Sequence, residues 1–188
     1  MSKTLGLLCA VSAVYLSALS ADSKAQINLG IGIRGGISNF EDPIGSGPQL
    51  GGHVRVKAAP KVDVEVMAEL FSSSWNENQW EVRWRNVLIG VTGSYNFSLP
   101  TKTVIPYLGA GMCLHQISKE FSSGAFGITP PAKESSSEGC FHALGGLKFN
   151  LTAMPISIFV EGRYMAVGDE QTPNFPTLLG GLTLDILR

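Results

Sequence analysis

The 188-residue sequence predicts an all-β fold in which eight antiparallel strands close into an up-and-down transmembrane β-barrel. Three observations predict it. With 44% hydrophobic residues, 15% charged residues and 22 glycines, the composition excludes a disordered chain and a charged helical bundle. Eight segments alternate apolar residues with polar residues or glycine, and no helical periodicity of comparable length accompanies them. The breaks between those segments alternate short and long, the pattern of tight periplasmic turns and long extracellular loops.

Residues 1–25, MSKTLGLLCAVSAVYLSALSADSKA, have a basic start at Lys3, an apolar run from Leu5 to Leu19 and small residues at the end. This is the layout of a secretory signal peptide, and the run is too short to cross a bilayer as a helix. Cleavage is expected after Ala25, with the bond before Ala21 as the other site, so the barrel domain occupies 26–188. Cys9 follows Leu8, where a lipid anchor needs a small residue, and no anchor is expected. Loss of Lys3, Lys24 and Asp22 leaves 12 basic and 14 acidic residues, a net charge of −2 without the footprint of a nucleic-acid binder.

The strands are expected near 26–37, 48–59, 61–72, 82–97, 103–118, 139–151, 156–167 and 177–187. In the first, Ile27, Leu29, Ile31 and Ile33 alternate with Asn28, Gly30, Gly32 and Arg34. The second and third read GGHVRVKAAPKVDVEVMAEL: Val54, Val56, Val64 and Val66 share one face, Arg55, Lys57, Asp63 and Glu65 the other, and Pro60 breaks the run. A turn there that pairs Ala58 with Val62 sets Lys57 opposite Asp63, Arg55 opposite Glu65 and His53 opposite Met67. The sixth opposes Phe141, Ala143, Leu147 and Phe149 to His142, Gly146, Lys148 and Asn150. The seventh opposes Ile156, Ile158 and Val160 to Ser157, Glu161 and Arg163, and the eighth Leu182, Leu184 and Ile186 to Gly181, Thr183 and Asp185. The short breaks contain Pro60, Pro100 and Pro155; the long ones are SNFEDPIGSG, SSSWNENQW, KEFSSGAFGITPPAKESSSE and GDEQTPNFP. Tyr95, Phe97 and Phe149 on the apolar face near short turns, and Tyr164 near a long loop, fit interfacial girdles.

The polar face carries five cations, Arg34, Arg55, Lys57, Lys148 and Arg163, and five anions, Asp63, Glu65, Glu69, Glu161 and Asp185. Turned to lipid, each Lys or Arg near the midplane would cost about 2–4 kcal/mol, so this face is assigned to the lumen. Eight strands leave an interior only just wide enough for side chains, which favours a packed ionic plug over an active site. His53, His115 and His142 share the inward parity, but their spacing is not a ligand motif, and no metal or cofactor is expected. No histidine has the outward parity that a lipid hydrolase would need. Cys113 and Cys140 share the inward parity on strands joined by the third long loop; a cross-strand disulfide and a pair of unbonded lumen thiols are both open. That loop, about 119–138, is rich in Ser, Gly and Pro and is expected to be the most exposed and mobile segment, with Phe121 and Phe126 as candidate partner contacts.

The stretch VIPYLGAGMCLHQI, residues 104–117, resembles the porin-like, OmpA/OmpX-type small outer-membrane β-barrel family, whose central strand often reads Pro-Tyr-x-Gly-x-Gly; Tyr107, Gly109 and Gly111 match. GGLKFNL (145–151) and ISIFVEGRYM (156–165) extend the resemblance over the expected barrel domain. It implies the fold and a place in the cell outer membrane, not a ligand. Members usually end on an aromatic residue, whereas this chain ends DILR. The expectation is therefore a monomeric, non-enzymatic barrel among outer-membrane lipid, with a structural role or an extracellular surface partner. The rival readings are a narrow passive pore, a lipid-modifying enzyme and a soluble lipocalin-like periplasmic binder.

Overall fold

The computed structural model describes residues 28–40, 45–77, 80–100, 103–123, 132–151, 154–168 and 174–187. The expected leader and Phe126 lie outside them. Eight strands run in sequence: β1 (Leu29–Asn39), β2 (Ser46–Ala59), β3 (Val62–Glu77), β4 (Trp80–Asn96), β5 (Val104–Ser123), β6 (Ala132–Asn150), β7 (Ile156–Val167) and β8 (Phe175–Leu187). Each pairs antiparallel with the next, and β8 returns to β1, closing an all-β barrel without sheet edges. At the β2–β3 turn Lys57 opposes Asp63, Arg55 opposes Glu65 and His53 opposes Met67; the ladder then shifts so that Ala59, not Ala58, meets Val62.

Strands β3 to β6 outrun the expected boundaries. Ser72–Glu77 pair rung by rung with Trp80–Arg85, leaving only residues 78 and 79 between the strands. Residues 119–123 and 132–138, expected in a long loop, continue the β5–β6 ladder, and Phe121 is a β5 residue paired with Val82 and Ala132. A tilted strand crosses a bilayer in about 10 residues, so the 20 residues of β5 and 19 of β6 carry the wall well past it. Beyond the bilayer neither face has to be apolar, and alternation ceases to mark the strand.

Along the strands the outward positions are apolar. Ile33 is 67% exposed, Leu50 66% and Phe141 69%, and Ile31, Leu70, Ile89, Leu108, Leu178 and Leu182 continue the belt. A soluble protein rarely presents so large a contiguous apolar surface; hydrocarbon accepts it. Tyr95 and Phe97 meet edge to face at 5.2 Å beside the β4–β5 turn, and Tyr164 lies outward on β7. The core is the lumen itself.

Candidate functional site

The lumen is filled in two tiers. Toward the longer connections it is apolar: Phe40, Met67, Phe71, Trp84, Leu88, Ile117, Met165 and Phe175 are buried together. Phe40 stacks on Phe175 at 3.9 Å and meets Phe71 at 4.5 Å. Gly45, at a φ of 67°, places its carbonyl to accept the Phe40 N–H at 3.0 Å, which fixes the chain where the phenyl ring enters the barrel. Cys113 and Cys140 face each other across β5 and β6 with Cα atoms 5.0 Å apart and are joined by a disulfide within this tier. The expectation of an ionic plug is corrected here, because inward parity carries large apolar residues as well as ions.

Below lies the ionic tier. Arg163 donates to Glu69 at 2.9 and 3.1 Å and to Glu161 at 2.8 and 3.2 Å. Arg34 donates to Glu69 at 3.3 Å, lies 3.8 Å from Glu161 and forms a close ion pair with Glu65. Gln49 bridges Glu69 to Ser38, which bonds Thr177 at 3.0 Å. These five charged groups come from β1, β3 and β7 and satisfy one another in a water-poor space, as buried charge requires.

Nearer the short turns, Lys148 donates to Asp63 at 2.7 Å and to Asn96 at 3.2 Å, while Arg55 donates to Asp185 at 3.1 Å and to Ser157 at 3.3 Å. They border a cavity of about 140 Å³ that opens at this end. Lys57 departs from the expected cluster: it lies at the rim of that cavity, and Asp63, its ladder neighbour, is held by Lys148. Arg55 likewise leaves its neighbour Glu65, which Arg34 engages. In so narrow a barrel every strand is within reach, so a charge is not confined to the adjacent rung.

Glycine decides who reaches whom. Gly30 stands between Arg55 and Asp185 in the ladders, and the two ions join over it. The same holds for Gly32 between His53 and Thr183, bonded at 2.9 Å, and for Gly111 between Thr92 and His142, at 2.8 Å. Gly146 separates Tyr107 from Glu161, yet the Tyr107 hydroxyl donates to that carboxylate at 3.0 Å. Lacking a β-carbon, each glycine is a saddle over which strands n − 1 and n + 1 bond. A double-mutant cycle is therefore expected to give Arg55→Ala and Asp185→Ala a coupling of about 0.5–3 kcal/mol, and Arg55→Ala with Glu65→Ala near additivity. Urea unfolding of the four proteins in each cycle measures both; coupling confined to the Arg55/Glu65 pair would reverse the assignment.

Around Glu65, Glu69 and Glu161 the ionic tier is closely packed. The cavities against the ionic tier and the aromatic tier measure about 20 and 10 Å³, the volume of a water molecule or less. The sequence reading missed Gln49 and Tyr107 as partners of the ions, and Ser38 and Thr177 behind Gln49, although all four have the inward parity.

No protein-family model matches the chain, and no curated protein matches it. Solved structures do. The Neisserial surface protein A superposes with a TM-score of 0.68 at 16% identity, over 84% of this chain and 97% of that one. This chain has an outer-membrane barrel fold. A major outer membrane protein of Thermus thermophilus gives a TM-score of 0.61 at 13% identity, over 85% and 99% of the two chains. Ail, the attachment invasion locus protein of Yersinia pestis, gives 0.56 at 15%, over 85% and 97%. At such identities the likeness is one of backbone, and the barrel's lumen has to be interpreted from its own residues.

Proposed function

We propose that the protein is a non-enzymatic integral barrel of the cell outer membrane, exported through a cleaved leader at residues 1–25 and monomeric among the lipids. Its role is structural or in surface interaction. The observation that carries this reading is the pairing of a lipid-compatible outer wall with a packed lumen, which suits a membrane scaffold and leaves the projecting strands for contact. On that projection Ser72, Ser74, Arg83, Arg85 and Gln116 face outward, replacing the apolar belt with polar and basic side chains. Phe121 at its upper reach, and Phe126 five residues on in the sequence, are the proposed partner contacts.

Separation of inner and outer membranes is expected to place the mature chain in the outer fraction, starting at Gln26; recovery in the soluble periplasm would overturn the proposal. The purified barrel is expected to give no large, stable conductance in planar bilayers, because the aromatic tier closes the lumen above the ionic one. A steady ion-selective current would favour the narrow-pore reading instead.

A further inference from the structure

Cys113 and His115 are two residues apart on the inward face of β5, and the ladder brings Cys140 of β6 directly opposite Cys113. Two sulfurs and one imidazole nitrogen from these residues lie within 4.8 Å of one another, and all three side chains are buried. His115 is 0% exposed; Asn86 lies 2.6 Å from its Nδ1, and its Nε2 has no hydrogen-bond partner among the described residues. The Asn86 amide nitrogen donates to Nδ1 and so leaves the ring proton on Nε2. Asn86 Oδ1 is also without a partner among the described residues, and a half-turn of that amide lets Oδ1 accept from Nδ1–H and frees the Nε2 lone pair, the state in which histidine ligates metal. A buried polar atom left without a partner also costs free energy that a ligand would recover.

We propose that the dithiol form of the barrel binds one thiophilic cation of the zinc class through Cys113, Cys140 and His115. This form precedes disulfide formation in any newly exported chain. Binding converts both thiols to thiolates: the cation gains two sulfur bonds and one nitrogen bond, and two protons are released to solvent. Nothing is oxidised or reduced. Three protein donors of this kind fill three places of a tetrahedral zinc shell and leave the fourth open. The disulfide and the metal therefore compete for the same two sulfurs, and the oxidised barrel has no thiolates to offer.

The spacing of the three residues conceals the site, because Cys-x-His supplies only two ligands in sequence and the third arrives through strand pairing across the β5–β6 connection. The site lies within the aromatic tier, where His115 meets Phe175 edge-on at 5.7 Å, so the cation enters before or during closure of the barrel.

The test uses the full chain carrying Cys9→Ser, refolded anaerobically from denaturant into detergent micelles with cobalt(II) or zinc(II). Folding is monitored by the fluorescence of the tryptophans. The reduced chain is expected to retain one metal per chain after gel filtration and, with cobalt, to show the near-ultraviolet thiolate-to-metal band and the visible bands of a tetrahedral site. The disulfide form, refolded and treated in the same way, is expected to retain none. His115→Ala in the reduced chain is expected to weaken cobalt binding at least about 10-fold while keeping part of the thiolate band. Equal metal content in reduced and oxidised chains, or no cobalt–thiolate band in the reduced chain, would overturn the proposal without recourse to any variant. So would unchanged affinity in a folded His115→Ala chain.

Discussion

Arg163→Met is expected to cost the folded barrel about 3–5 kcal/mol, the penalty of stranding buried charge. Arg163 is 3% exposed and donates twice to each of Glu69 and Glu161, so its loss leaves those carboxylates and Glu65 to share the charge of Arg34, with only neutral donors from Gln49 and Tyr107 beside it. Met fills much of the volume without offering a donor, which isolates the electrostatic contribution from a cavity. Urea unfolding in lipid vesicles, followed by tryptophan fluorescence, measures the change. Adding Glu161→Gln to the Met variant is expected to restore part of the stability, since one unmatched charge is removed. A loss under about 1 kcal/mol, the range of exposed ion pairs, would mean that water reaches the cluster, and the packed lumen would have to be abandoned.

Gly146→Ala, a change of one methyl group, is expected to cost about 3 kcal/mol or more. A β-carbon there would sit 2.7 Å from the Tyr107 ring carbon and hydroxyl oxygen and 2.5 Å from the Val160 carbonyl oxygen. The ring must move away, and Glu161 then loses the hydroxyl that now donates to it. The companion change Gly93→Ala provides the contrast, because its β-carbon meets nothing within 4 Å on the outward face. It is expected to be neutral or to stabilise by about 0.5–1 kcal/mol, as replacing glycine within a strand usually does. The same unfolding assay ranks the pair, and equal effects would show that the Tyr107–Glu161 bond over Gly146 contributes little.

Much of the wall was legible because hydrocarbon imposes a hard rule on every second residue. Val54, Val56, Val64 and Val66 against Arg55, Lys57, Asp63 and Glu65 had one sensible orientation, and Pro60 marked the turn well enough to give the ladder within one residue. Above the bilayer the rule lapses: SSSWNE and AKESSSEG form strands with no apolar period, held by backbone pairing that side chains do not advertise. The lumen was half legible. Parity identified which residues point inward, so Arg34 and Phe71 were equally inward by position, but only charge was treated as filling. The partners of Arg55 and Lys148 could not be read from the sequence, since they depend on reach across a closed ring rather than along one ladder. The convergence of His115 on the two cysteines escaped for the same reason.

The saddles also bear on how the barrel chooses its stagger. A strand that slips by one residue turns its apolar row inward and is rejected by lipid and lumen together. A slip by two residues keeps every side chain on its proper face, so the alternation that specifies the barrel is blind to it. Gly32, Gly111 and Gly146 are not blind. Gly146 is flanked at its own parity by Leu144 and Lys148, so a move of two places either way puts a side chain in the pass between Tyr107 and Glu161; a move that brings Arg34 to the place of Gly32, or Cys113 to that of Gly111, does the same between His53 and Thr183 or Thr92 and His142. The inward glycines thus work as notches in a lock, admitting one shear of the closed sheet among the several that hydrophobicity alone would permit.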